Sequence, residues 1–173
     1  QWLKYFESQK IFINSLPSHV RDMLILKLYP TDYGWDQAER YRNAVNEINI
    51  SGDEETVSQL VKSSRLYIST YNATTYLESL SSNIPTVIFW DPSQWEIKTD
   101  AAPYFALLKD VGIFHETPQS AALHVGSVWE NIPTWWESEI VQSARTKFCE
   151  KYSHSTHTVS QNIKEVLSSL AHS

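Results

Sequence analysis

The chain has 173 residues, which suits one compact domain, and 42% of them are hydrophobic, so a core can form without disulfide or metal staples. Its net charge of −6 argues against a binder of nucleic-acid backbones, which would carry a basic patch, but leaves room for a small anion held by a helix N-terminus and a local cation. Cys149 is the single cysteine, so no internal disulfide forms and nothing points to an oxidising compartment. No apolar run approaches the ~20 residues of a membrane span.

The chain opens on Gln1 rather than Met and reads as a fragment of a longer protein. Residues 2–15 are predicted helical, anchored by Trp2, Tyr5, Phe6 and Phe12, and Pro17 starts a short helix. Leu24–Tyr29 is an apolar strand ended by Pro30, followed by a turn at 31–34 and a helix from about Trp35 to Val45. Residues 47–50 are a short strand, Ser51-Gly52-Asp53 a turn, and 55–62 a helix. Residues 66–69 form a third strand and 73–82 a helix. Asn83-Ile84-Pro85 stops that helix and leads into a fourth strand, 86–89. A helix over 99–110, a fifth strand at 113–114 and a helix over 118–131 follow. The tail reads as two helices, 134–150 and 156–170.

Continuous apolar strands alternating with helices imply an α/β fold. The expected architecture is a Rossmann-like three-layer αβα sandwich with a parallel sheet of about five strands and extra C-terminal helices. In such sheets ligands bind outside the carboxyl ends of the strands, at the switch point. That directs attention to three loops, 29–36, 69–74 and 89–98. The four glycines leave no GxGxxG or GxxxxGK(S/T) phosphate motif.

The richest loop is Ser69-Thr70-Tyr71-Asn72-Ala73-Thr74-Thr75-Tyr76-Leu77-Glu78. A strand runs into hydroxyl and amide side chains and then into a helix whose apolar face is Ala73, Tyr76, Leu77 and Leu80. Asn72 is the expected N-cap, and the helix start offers free N–H groups and partial positive charge. With the hydroxyls of Thr70, Thr74 and Thr75, this could hold a phosphate without glycines or Lys. Glu78, one turn in, could accept hydrogen bonds from ribose hydroxyls. The bland alternative is a plain helix start, with Glu78 closing a capping box on Thr75.

The loop Pro30-Thr31-Asp32-Tyr33-Gly34-Trp35-Asp36 offers Asp32 as base, nucleophile or electrostatic stabiliser, and Tyr33 and Trp35 as rings that stack on a sugar. Its alternative is that Asp32 or Asp36 caps the next helix and Trp35 packs in the core. In 89–96, Trp90 and Trp95 are read as a base or sugar wall or as core, and Asp91-Pro92 as a turn. Lys98, Asp100 and Tyr104 are weaker candidates. The six histidines are scattered, and no Asp-x-Asp pair or zinc ligand set is present, so no metal is expected. Cys149 reads as packed, and Trp135-Trp136 as the dock of a late helix.

The segments Leu28–Trp35, Ser64–Glu78 and Asn83–Trp90, with Pro103-Tyr104-Phe105 and Gly112–His115, resemble a bacterial family of surface-polysaccharide transferases. More distantly they resemble the donor-binding halves of GT-B glycosyltransferases, including glycerophosphotransferases of teichoic acid synthesis and retaining beta-Kdo transferases. The resemblance implies a single nucleotide-sugar-binding domain over 1–173, the C-terminal half of a metal-independent GT-B enzyme whose N-terminal half holds the acceptor. It implies a nucleotide-sugar co-substrate, CMP-Kdo as the preferred donor, and no other cofactor. It also implies a glycan or lipid-linked acceptor of lipopolysaccharide or O-antigen type. The expected location is cytoplasmic, extending to a peripheral place at the inner membrane. Carried over by position, Thr70, Tyr71, Asn72, Ala73, Thr74 and Thr75 meet phosphate, Glu78 meets ribose, and Asp32 is the carboxylate nucleophile that retention would need. Tyr33, Trp35 and Trp90 contact sugar or base. The absence of a His-Pro dipeptide leaves UDP-, GDP- or CDP-linked donors open. A nucleotide-sugar epimerase or hydrolase, and a non-catalytic scaffold of the same fold, are the competing readings.

Overall fold

The computed structural model describes residues 2–45, 47–52 and 54–153, so the helix expected over 156–170 lies outside the described residues. Five parallel strands alternate with helices: β1 (Ile25–Leu26), β2 (Asn49–Ile50), β3 (Tyr67–Ser69), β4 (Thr86–Phe89) and β5 (Phe114–His115). The helices are α1 (Trp2–Ser15), α2 (Ser18–Arg21), α3 (Gln37–Ala44), α4 (Val57–Ser63), α5 (Thr75–Ser81), α6 (Ala102–Asp110), α7 (Pro118–Val128), α8 (Ile132–Trp136) and α9 (Glu139–Tyr152).

β4 sets the layering, because all four of its residues are buried. Alternate side chains go to opposite faces of a strand. Val87 and Phe89 therefore join one core with Phe12 and Ile13 of α1, Tyr41 of α3, and Ala121, Ala122 and Val125 of α7. Ile88 and Trp90 join the other, with Leu80 of α5, Phe105 and Leu108 of α6, and Val141 and Phe148 of α9. Helices thus cover both faces, as a parallel sheet requires.

The ladder is not one continuous sheet of five strands: β1 pairs only with β2, and β3-β4-β5 form a second sheet. β1 is two residues long; just beyond it the Ser51 N–H still donates to the Leu26 carbonyl, and Lys27 Nζ bonds the Gly52 carbonyl. The crossover helices α5 and α6 lie on one face and α3 on the other. Since βαβ crossovers are right-handed, the two halves run outward in opposite senses. β1 and β3 open the two separate ladders, and the loops after them follow their carboxyl ends.

The helix ends show why the elements stop where they do. α5 ends with Asn83 at φ 55°, and Asn83 and Ile84 donate backbone hydrogen bonds to Leu80 and Ser79, a left-handed cap sealed by Pro85. α4 begins at a capping box, Thr56 with Gln59, a Thr-x-x-Gln signature that puts the helix start later than the turn at 51–53 suggests. The helix expected over 134–150 is two helices, broken at Glu137–Ser138. Trp135 and Trp136 dock it within the chain, donating from their indoles to the carbonyls of Val111 and Asn83. Cys149 packs at the edge of the core, where burial pushes its thiol up.

Candidate functional site

The first two turns of α1 touch two of the three loops named above, 29–36 and 69–74, and the third is reached through Tyr71. Trp2 packs tilted against Trp35 at 5.2 Å between ring centroids, and Arg40 lies 5.5 Å over the Trp2 ring. Tyr5 packs edge-on to Tyr71 at 5.8 Å, and Tyr71 meets Trp95 at 6.1 Å. Lys4 is near enough to Asp91 to help hold that carboxyl below its ordinary range, after the larger effect of the bonds from Ser93.

Beneath this lies a hydroxyl and amide network that no local pattern announces. Gln9, buried in α1, donates to Thr70 Oγ1 at 2.7 Å and to the Tyr5 hydroxyl at 2.6 Å, and accepts from the Tyr41 hydroxyl. Tyr5 and Thr70 are themselves 3.0 Å apart. Burial pushes the Tyr5 hydroxyl up to about 12, so it stays protonated. α1, α3 and the end of β3 are pinned to one another by these groups. Sequence reasoning missed Gln9 because its partners lie 32 and 61 residues away.

The network corrects part of the expected phosphate seat. The Thr70 hydroxyl is committed to Tyr5 and Gln9, so it shapes the loop from inside. Asn72 is not the N-cap: its side chain accepts from the Tyr76 hydroxyl at 3.1 Å, and Thr74 occupies the cap position with no side-chain cap bond. With the cap at Thr74, the capping box between Thr75 and Glu78 does not form. Ala73 precedes the helix. What faces outward is Tyr71, Asn72, Thr74 and Glu78, with Thr75 half-buried beside Tyr67.

Of the two carboxylates that could cap the next helix, Asp32 makes the bonds and Asp36 does not. Asp36 sits at the N-cap of α3 in the left-handed region, φ 49°, where its side chain makes no cap bond. Asp32 does the capping from four residues upstream, accepting from the Trp35 N–H at 2.7 Å and the Gln37 N–H at 2.9 Å. The bond from Gln37, then that from Trp35, holds its carboxyl below the usual range. A carboxylate whose two oxygens are both bonded to the backbone is a poor nucleophile, so the geometry assigns Asp32 to shaping the 32–37 loop. The loop it shapes presents Tyr33, 63% exposed, and Trp35, 41% exposed.

Trp90 is also corrected. It is 2% exposed and packs against Phe114, Phe105 and Tyr76 at 4.8, 5.5 and 5.7 Å, so it lines no cleft. Trp95, half-buried beside Tyr71, is the ring of that loop that reaches the mouth. Lys98 and Asp100 are exposed, and Tyr104 is turned away onto Tyr152. A depression of about 490 Å³ elsewhere runs along Glu139, Gln142, Thr146 and Glu150 of α9; a single helix lines it, so nothing encloses a ligand.

The chain is thus an α/β domain of short parallel strands with helices on both faces, its polar and aromatic loops following the carboxyl ends of the strands. The chain belongs to the LIC12162 family of transferases, whose family model matches residues 1–167. No curated protein and no solved structure matches it significantly. No helix among the described residues is long and apolar enough to cross a membrane.

Proposed function

We propose that this domain binds the donor of a glycosyl transfer reaction, as the C-terminal half of a GT-B enzyme that takes a nucleotide-linked sugar. The observation that carries the reading is that the 29–36 and 70–74 loops meet on the first two turns of α1, with Trp95 of the 90–98 loop against Tyr71, after the strand ends where such folds bind ligands. The family's transferase character supports the reaction class. The start of α5 contributes unpaired backbone N–H groups and the hydroxyls of Thr74 and Thr75 for the phosphate. Glu78 on its first turn accepts from the ribose. Tyr33, Trp35 and Tyr71 offer ring faces to sugar or base. CMP-Kdo is the preferred donor, with transfer to a glycan or lipid-linked acceptor held mainly by the other half of the enzyme.

CMP, CDP, UDP and GDP should be compared by thermal shift. A ligand at a hundredfold excess over Kd stabilises the fold by about 2.7 kcal/mol. CMP is expected to raise the melting temperature, and Thr75→Val and Glu78→Ala to diminish the rise. A protein indifferent to all four nucleotides overturns the reading.

Asp32→Asn is expected to keep donor turnover, followed as CMP release, within about tenfold of the parent. Removing a true nucleophile costs a factor on the order of 10⁴ to 10⁶. A loss of that size would restore Asp32 to the reacting centre.

A further inference from the structure

The donor reading leaves unused a second concavity, a cavity of about 280 Å³ at the carboxyl ends of β1 and β2. Leu28, Ala38 and Ile50 give it an apolar wall; Lys27, Arg42 and Ser51 give it a polar one. Among the described residues two cations and no acidic side chain line it, in a chain of net charge −6. Lys27 Nζ spends one N–H on the Gly52 carbonyl at 2.7 Å, and neither Lys27 nor Arg42 forms an ion pair among the described residues. Ser51 Oγ is buried behind this surface with no hydrogen-bond partner among the described residues. The volume falls just short of the ~300 Å³ at the lower end of small-ligand sites. It suits a single sugar ring with its acidic group.

We propose that this cavity binds the oxyanion of an acidic saccharide, a phosphate or carboxylate carried on a single sugar ring. Lys27 and Arg42 supply the charge and the hydrogen-bond donors, and the apolar wall packs on the ring's C–H face. The saccharide rests on the donor reading above; the oxyanion rests on the cavity alone. It lies directly before the 29–36 loop in the chain, since Lys27 and Leu28 lead into Tyr29, so the bound group would sit beside the aromatic rim.

Binding of glucose 1-phosphate, glucuronate and neutral glucose should be measured by isothermal titration, the first two arms separating phosphate from carboxylate. At least one acidic probe is expected to bind at least tenfold more tightly than glucose. Arg42→Gln and Lys27→Met should each weaken it at least fivefold, Lys27→Arg should recover part of the loss, and Thr75→Val should leave it unchanged. Arg42 is exposed, so Arg42→Gln tests the site even where Lys27→Met lowers the melting temperature. Equal binding by parent and Arg42→Gln, glucose binding as tightly as the acids, or binding of neither acid overturns the proposal. Acid binding that persists in a protein indifferent to nucleotides would sink the donor reading and leave this site standing.

Discussion

Trp90→Ala is expected to lower the unfolding free energy by about 3–5 kcal/mol, the range for removing a large aromatic ring from a packed core. The indole fills the space between β4 and the α5, α6 and α9 layer, in contact with three other rings. Its removal leaves a void that Phe105, Phe114 and Tyr76, each fixed by further packing, cannot close. The indole N–H has no hydrogen-bond partner. Trp90→Phe therefore forfeits only part of the packing and should cost under about 2 kcal/mol. Urea unfolding of both variants checks this. A ring lining a sugar cleft would behave otherwise: Trp90→Ala would weaken ligand binding and leave the midpoint nearly unmoved.

That placement was readable. A strand buried on both faces sends alternate residues to opposite cores, and Trp90 continues the Ile88 side one residue beyond β4. The strands and most helices were legible for the same reason: short apolar runs between turn residues leave few alternatives, and Asn83-Ile84-Pro85 marks its helix stop unaided. The division of the sheet was not legible, because the apolar run at 24–29 does not reveal that its pairing ends at Leu26. The loops of the site followed from the rule about strand ends, but not which of their groups face outward. Thr70 and Thr74 look alike in sequence. One is claimed by Tyr5 and Gln9, more than 60 residues away, and the other stands exposed. Asp32 and Asp36 likewise present the same chemistry ahead of one helix. The left-handed backbone at Asp36 decides between them, and only the fold shows it.

Gly112→Ala is expected to destabilise by roughly 2–4 kcal/mol, from two separable causes. α6 ends in a left-handed cap in which Gly112, at φ 78°, donates to the Lys109 carbonyl and Ile113 to that of Leu108. A side chain in that conformation costs about 1–2 kcal/mol. A Cβ there would also lie 2.4–2.9 Å from the His124 ring. The ring cannot easily yield, because it is held between His115 at 5.2 Å and Trp135 at 4.8 Å. The double variant Gly112→Ala/His124→Ala removes the collision and keeps the backbone strain. A double-mutant cycle by urea unfolding should thus show a coupling of at least about 1 kcal/mol. Additive losses would mean that the ring moves aside freely. The pH dependence gives a second view of the same ring. Burial, helped by His115, holds His124 at about 4, so the fold refuses a proton that the unfolded chain accepts near its ordinary 6.5. Stability is then full above that value and lost as pH falls toward 4. His124→Ala should flatten this loss, whereas Gly112→Ala, by crowding the ring without removing it, should shift the whole profile downward.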